Sequence, residues 1–299
     1  MKSLNDLTVI IVTFNTPKKM ILDCLNSISK DVHILIVENS ESFVDKDLIL
    51  NRFPNVSIVC TGENLGYGRG NNYGLNLVKT SNALILNPDI ICDKNFFNNI
   101  TDVVVEAKDF SIIGCQYTND RIFMPAGFFE KEKNRNFTKK FKANDINKLE
   151  NVEWVTGCSM LINLEKFENR EIFDKNFFLY FEEFDLCRSL VKKGEKIFTT
   201  SKLKVHHLGF KSSLNDDHMN NFKIINLKDW HYMWSSFYFY KKNYSYIFAL
   251  KKLSGKFLRS FFKMIYYSVI IQKKNRNKYL YRFLGLFSSI LGKPSNFRG

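Results

Sequence analysis

What most constrains this chain is an alternation: short apolar runs rich in β-branched residues, each closing on polar residues, several of them followed by helix-like spacing. The first is Leu7-Thr8-Val9-Ile10-Ile11-Val12-Thr13-Phe14, an unbroken pattern that suits a strand covered on both faces. Pro17 then stands where a first helical turn tolerates proline, and Met20, Ile21, Cys24, Leu25 and Ile28 follow at helical spacing. Residues 32–37 form a second run that ends in Glu38-Asn39-Ser40; residues 56–60 lead into a glycine-rich turn; residues 83–86 stop at Asn87-Pro88-Asp89. Strands alternating with helices predict right-handed βαβ units and an α/β fold with a mostly parallel sheet flanked by helices. Later, residues 152–164 regain strand character around Gly157, the second half of 172–193 reads as helix, and 197–207 as a late strand. Residues 130–150 are charged and lack apolar periodicity, which predicts an exposed excursion.

Ligands of such sheets bind beyond the carboxyl ends of the strands. Thr13, Asn15, Glu38, Asn39, Asn64, Asn87 and Asp89 all fall there. Each alone is an ordinary turn or cap residue. On successive strands together, they predict a polar binding site.

Charge divides the chain in two. From Trp230 onward there are fourteen Lys or Arg and no Asp or Glu, whereas residues 1–229 balance thirty basic against thirty acidic residues. All of the +14 net charge therefore sits in an aromatic-rich tail. Within it, Ile247, Leu250, Leu253, Phe257, Phe261 and Ile265 recur every three or four positions among Lys251, Lys252, Lys256, Arg259 and Lys263. This is the pattern of a basic amphipathic helix, suited either to an anionic membrane surface or to packing on the body. The aromatic cluster Trp230, Tyr232, Trp234 and 237–240 fits either partner, and it could also support a homodimer. Six scattered cysteines with no CxxC pair argue against a zinc module or disulfide scaffold. No apolar stretch reaches the length of a membrane span, and the opening residues lack the core of a secretory signal, so the expectation is a cytoplasmic protein, peripheral to the inner membrane.

Three local constellations carry chemistry. Asn64-Leu65-Gly66-Tyr67-Gly68-Arg69-Gly70-Asn71-Asn72-Tyr73-Gly74 is a strand-to-helix turn whose glycines would let amides approach a phosphate, with Arg69 adding a charge-assisted contact. Its spacing is not GxGxxG, and a purely structural loop reads equally well. Asp89 puts one carboxylate on a rigid turn, suited to Mg²⁺ or Mn²⁺ held against a diphosphate, or to a simple Asx turn. Residues 177–187 embed Glu182, Glu183 and Asp185 among aromatics and aliphatics, an environment that raises a carboxylate's pKa toward that of a general base. On a helix, Glu182 and Asp185 share a face while Glu183 points elsewhere; acidic residues complementing a helix start are the bland alternative. His206-His207 closes the late strand, with His207 suited to a metal or phosphate.

The order of these motifs resembles glycosyltransferase family 2, the nucleotide-sugar-dependent enzymes of the GT-A fold, and within it a bacterial rhamnosyltransferase-like branch. The matching segments are residues 9–15, 36–40, 64–66 through 72–74, 86–89, Trp154-Val155-Thr156-Gly157, 178–187 and 207–212, spanning roughly 7–212. The resemblance implies a Rossmann-like catalytic domain over 1–212 (a nucleotide-binding half, 1–110, and an acceptor half, 111–212), with 213–299 as a helical basic extension. It implies Thr13, Asn15 and Glu38 at the nucleoside, and Asn64, Gly66, Arg69, Asn72 and Asn87 toward the sugar diphosphate. Asp89 and His207 would hold Mg²⁺ or Mn²⁺. Glu183 would be the base, with Glu182 and Asp185 as accompanying carboxylates and Trp154 and Gly157 on the acceptor side. Position 38 is Glu where the family usually has Asp, and Asn87-Pro88-Asp89 offers only one carboxylate to a metal.

The implied activity is inverting transfer from a dTDP- or UDP-sugar to a hydroxyl of a glycan or lipid-linked glycan during bacterial capsule, O-antigen or lipooligosaccharide synthesis. Rival readings are a nucleotide-sugar-binding protein without catalysis and a nucleic-acid-binding protein that uses the basic tail. The second leaves the buried carboxylates unexplained, so no nucleic-acid partner is expected.

Overall fold

The computed structural model describes residues 3–118, 122–123, 126–129, 149–208 and 218–298. The expected excursion at 130–150 lies mostly outside the described residues, as does the segment 209–212 of the last motif.

The first apolar run forms β1 (Leu7–Thr13), and the next three form β2 (His33–Glu38), β3 (Val56–Cys60) and β4 (Asn82–Leu86). All four pair in parallel in the order β3-β2-β1-β4, with Thr13 beside Glu38 at the carboxyl end. β4 is buried along its whole length, which is why its sequence shows no polar alternation. Successive residues serve opposite faces: Ile10, Val37 and Ile85 enter one apolar cluster, whereas Val9, Ile11, Ile36, Leu84 and Leu86 enter the other. The second cluster is closed by α1 (Lys18–Asn26) and α4 (Phe96–Ala107), through Ile21, Leu25, Phe96 and Ile100. The first is closed by Leu75 of α3 (Gly66–Leu77) and Leu186 of α5 (Glu182–Lys192).

Beyond β4 the sheet becomes mixed. It continues through β11 (Ser159–Asn163), β6 (Ile112–Thr118), β12 (Ile197–His207) and β5 (Ile90–Cys92). β11 runs antiparallel to both β4 and β6, β12 is parallel to β6, and β5 is antiparallel to β12. Consecutive parallel pairing thus belongs to β1 through β4, with β6 and β12 a further parallel pair inside the mixed part. The region expected as strand around Gly157 divides into β9 (Leu149–Val152), β10 (Trp154–Val155) and β11; between them β10 leaves the main sheet to pair with β8 (Ala126–Gly127). The remaining short elements are α2 (Lys46–Arg52) and β7 (Ile122–Phe123).

The basic tail is three helices, α6 (His218–Asn243), α7 (Tyr246–Val269) and α8 (Lys273–Ile290). Met233, Phe237, Phe239 and Tyr240 of α6, Leu253 of α7 and Leu286 of α8 belong to the same apolar cluster as Ile85 and Leu186, so the tail packs on the body. Polar bonds add to this. Lys242 Nζ lies 2.7 Å from Asp174 Oδ2 and 2.6 Å from Asp185 Oδ2, and Ser235 donates to the Leu179 carbonyl at 2.7 Å. Gly285 is required where α8 crosses α6, because a Cβ there would stand 2.2 Å from the Trp230 carbonyl oxygen. The stripe read from the sequence is divided by this packing. Leu253 is buried and Leu250 and Phe257 rest on the core, whereas Ile247, Phe261 and Ile265 stay exposed with Leu258, Phe262, Tyr266, Val269 and Ile271.

Candidate active site

A cleft of about 390 Å³ opens at the carboxyl ends of β1, β2 and β4. It gathers Thr13, Asn64, Gly66, Asn87, Asp89, Gly157, Glu182, Glu183 and His207, which the sequence scatters over nearly two hundred positions. Asp89 and Glu183, from the two halves of the chain, line the same cavity.

The floor is set by the turn into α3. Gly66 has φ +78°, and a Cβ would lie 2.2 Å from the Phe178 carbonyl oxygen, so only glycine fits against the 173–181 segment. Tyr67 N–H donates to that same carbonyl at 3.1 Å, and Tyr67 O–H donates to the Gly157 carbonyl at 2.5 Å. Asn64 Oδ1 accepts from Gly66 N–H, and Asn39 Nδ2 donates to the Gly66 carbonyl. These bonds hold three chain segments at fixed spacing beneath whatever occupies the cleft.

The carboxylate corner begins with two consecutive non-glycine residues in the left-handed region, Tyr180 (φ +70°) and Phe181 (φ +72°). Each costs on the order of 1–2 kcal/mol. Aromatic contacts offset that cost: Tyr180 and Phe181 both meet Tyr232 of α6, and Phe181 also meets Phe239. The sharp turn starts α5 at Glu182, so both glutamates of its first turn reach the cleft. Burial lifts both carboxyls above the usual carboxylate range. Glu183 is pushed up to about 7, with the amides of Glu183 and Gly157 opposing part of the shift. Glu182 is raised well above its ordinary value too, by deep burial and then by the neighbouring Glu183 charge, and its Oε1 has no hydrogen-bond partner among the described residues.

Asp89 and His207 line the same cleft. β5 and β12 are antiparallel, with Ile90 beside His207, which brings His207 Nε2 to 3.3 Å from Asp89 Oδ2. Asp89 is 1% exposed, and its Oδ1 has no hydrogen-bond partner among the described residues. An orphaned buried carboxylate oxygen beside an imidazole fits a divalent cation. The described residues hold no cluster of three His, Cys, Asp or Glu; Asp89 and His207 are a pair that could hold such an ion together with phosphate and water.

Six of the expected site residues do not line the cleft. Asp185 turns away to α6, where Lys242 and Asn243 Nδ2 (2.8 Å) take both its oxygens; it is a strut between helices, and although Glu182 was expected to share its face while Glu183 pointed elsewhere, it is Glu182 and Glu183 that line the cleft together. Asn72 exchanges two hydrogen bonds with the backbone of Phe173 and anchors that loop to α3. Glu38 is buried and accepts the hydroxyls of Thr13 (2.5 Å) and Ser40 (2.8 Å), stiffening the ends of β1 and β2. Asn15 takes a left-handed turn at φ +49°, a conformation asparagine tolerates. Arg69 is partly exposed and 3.6 Å from Glu63. Trp154 is buried, donates to the Phe128 carbonyl and packs edge-on against Phe184, bracing α5 from behind.

The cleft also contains residues to which the sequence reading gave no role. Ile224, Leu227 and Lys228 of α6 form one wall, and Tyr67 and Cys158 line the interior. The signal was weak: α6 has little one-sided apolar periodicity, because neighbours cover it on several sides.

The curled mixed sheet, its flanking helices and the cleft at its carboxyl edge make a GT-A-type fold. A family model described as Glycosyl transferase family 2 matches residues 8–171, and the chain belongs to that family. It is 25% identical over 196 residues to the low-salt glycan biosynthesis hexosyltransferase Agl10 of Haloferax volcanii, a match covering 62% of this chain and 61% of that protein's length. Among solved structures it is similar to a mannosyltransferase, PcManGT from Pyrobaculum calidifontis, in complex with GDP-Man and Mn²⁺ (TM-score 0.54, 11% identity, 98% of this chain and 90% of that one). It is also similar to GalNAc-T7 with UDP, GalNAc and Mn²⁺ (TM-score 0.52, 12% identity, 83% of this chain and 56% of that one).

Proposed function

We propose that the protein is an inverting hexosyltransferase that moves a sugar from a dTDP- or UDP-linked donor to a hydroxyl of a glycan or lipid-linked glycan in bacterial cell-surface polysaccharide synthesis. The observation that carries this reading is the placement of a carboxyl poised near neutrality, Glu183, across one cleft from Asp89 and His207. Glu183 accepts the proton of the acceptor hydroxyl as its oxygen bonds to the anomeric carbon. The bond from that carbon to the diphosphate oxygen breaks, and its electron pair leaves with the nucleoside diphosphate. A single displacement from the far face inverts the anomeric centre.

Asp89 and His207 would hold Mg²⁺ or Mn²⁺, which when bound stabilises the charge of the departing diphosphate. The remaining assignments follow position. Thr13, Asn64 and Asn87 serve the nucleotide sugar, and Gly66 admits the donor close to the backbone. Glu182, whose carboxyl burial and the Glu183 charge push upward, accompanies Glu183 at the acceptor hydroxyl. Gly157 shapes the acceptor side.

Residues 1–212 serve as the catalytic domain and 213–299 as an extension that completes it. The exposed stripe Leu258, Phe262, Tyr266 and Val269, continuing to Ile271 beside Lys273 and Lys274, suits an anionic membrane surface and would hold the enzyme at lipid-linked acceptors. Among the described residues, no helix is long and apolar enough to cross a membrane. A thermal-shift panel of nucleotide sugars with and without Mn²⁺, followed by mass analysis of donor hydrolysis products, tests the reading. A shift with a dTDP- or UDP-sugar and slow release of the free sugar are expected; no shift with any nucleotide sugar overturns it.

A further inference from the structure

Lys228 lies on α6, outside every motif, in the helical extension rather than the sheet domain. It nonetheless lines the cleft with Asp89 and His207. A lysine there is unusual because it is half-buried and makes no ion pair or hydrogen bond among the described residues. Its apolar companions on the same wall, Ile224 and Leu227, offer its ammonium nothing to bond. A desolvated cation without a counter-ion is costly to the fold alone, so it marks a place where an anion is expected. Burial lowers the Lys228 pKa, and the Asp89 charge opposes that fall, so the ammonium feels the carboxylate from across the cavity.

The charges facing this position are sparse. Asp89 supplies one carboxylate, while Asn87, at the other end of the same turn, supplies only an amide. A site with a single carboxylate holds a divalent cation less firmly than a paired-acid site, and the diphosphate then lacks positive charge. An ammonium on the neighbouring wall fills that deficit without any metal ligand.

Resting on the sugar-transfer reading, we infer that Lys228 is a diphosphate-binding residue: its ammonium contacts the donor's phosphate oxygens and shares with the cation the charge that develops on the departing group. The extension is thereby part of the donor site. A charge-assisted contact of this kind is worth roughly ten- to a hundredfold in affinity.

The test uses the full chain as wild type, Lys228→Met and Lys228→Arg, titrated calorimetrically with UDP, dTDP and GDP and with the matching monophosphates, in Mn²⁺ and in EDTA. For whichever diphosphate the wild type binds, Lys228→Met is expected to weaken binding about tenfold or more, by a larger factor in EDTA than in Mn²⁺, and by more than it weakens the monophosphate. Lys228→Arg should retain most of the affinity. The melting temperature of ligand-free Lys228→Met should equal or exceed that of the wild type, because a half-buried cation with no ion pair among the described residues has been removed. Equal diphosphate affinity in wild type and Lys228→Met, or an equal loss for mono- and diphosphate, overturns the inference alone. Failure of the wild type to bind any of the three diphosphates overturns both the inference and the sugar-transfer reading beneath it.

Discussion

Replacing Glu183 by Gln separates the cost of the carboxyl to the fold from its use in chemistry. Glu183 rises from an ordinary 4.5 to about 7 because folding removes it from water. The native state therefore binds this proton more tightly than the unfolded chain does. The stabilising contribution of the protonated carboxyl is complete below about pH 4 and declines as pH climbs through about 7. At roughly 1.4 kcal/mol per pKa unit the full decline is about 3 kcal/mol, and water entering from the cleft reduces it to about 2 kcal/mol. Gln is nearly isosteric and stays neutral, so the variant escapes the decline. Thermal unfolding of both proteins across pH 5–8 should show E183Q more stable at pH 8 by on the order of 3–5 °C, the gap closing as the pH falls. Sugar transfer should drop about 10²–10⁴-fold while donor binding persists. A gap independent of pH, or an E183Q less stable than wild type at pH 8, would refute the claim that the carboxyl is held desolvated, and retained turnover would remove it from the role of base.

Other expected outcomes follow from particular contacts. Wild-type transfer should rise with pH on an apparent pKa near 7, measured from kcat/KM profiles, because the raised Glu183 must lose its proton to act. Gly66→Ala drives a Cβ into the Phe178 carbonyl and should cost about 2–4 kcal/mol in urea unfolding. Asp185→Asn should cost about 1–3 kcal/mol, because it weakens the bonds to Lys242 and Asn243, yet leave the donor KM unchanged; a raised KM with unaltered stability would return Asp185 to the site. Phe262→Glu combined with Ile271→Glu should abolish co-sedimentation with vesicles containing anionic phosphatidylglycerol while leaving the melting temperature within about 2 °C, since both side chains are exposed.

The parallel half of the fold was legible because doubly covered strands write themselves as unbroken apolar runs: β1, β2, β3 and β4 lie within a residue of their expected limits, and β12 coincides with its own. The mixed half was not, since the direction in which β11 enters the sheet depends on a pairing with β4 that spans some seventy residues and leaves no local mark. The same holds within the site. Asp89, His207 and the two glutamates were readable because strand ends and charges among aromatics are local signals. The places of Asn72 and Asp185, outside the cleft lining, were not, because their partners, the Phe173 backbone and Lys242, lie far along the chain. Periodicity placed Glu182 with Asp185, but the left-handed Phe181 starts the helix so abruptly that both glutamates face one cavity. Lys228 sits on a helix that packs on several sides, so its lysine looks like any other in a basic tail.

The two left-handed residues ahead of Glu182 have a consequence for assembly. They are held in place by rings of α6, by Ser235 on the Leu179 carbonyl and by Ser295 on the Asn176 carbonyl, all supplied by chain that follows them. A nascent or clipped polypeptide that stops before α6 can still build the parallel sheet, with Thr13, Asn64 and Asp89 in register. It cannot hold the glutamates where an incoming hydroxyl would meet them. On the proposed function, competence to handle an activated sugar is thereby deferred until the extension has docked, so half-made copies should not hydrolyse the donor.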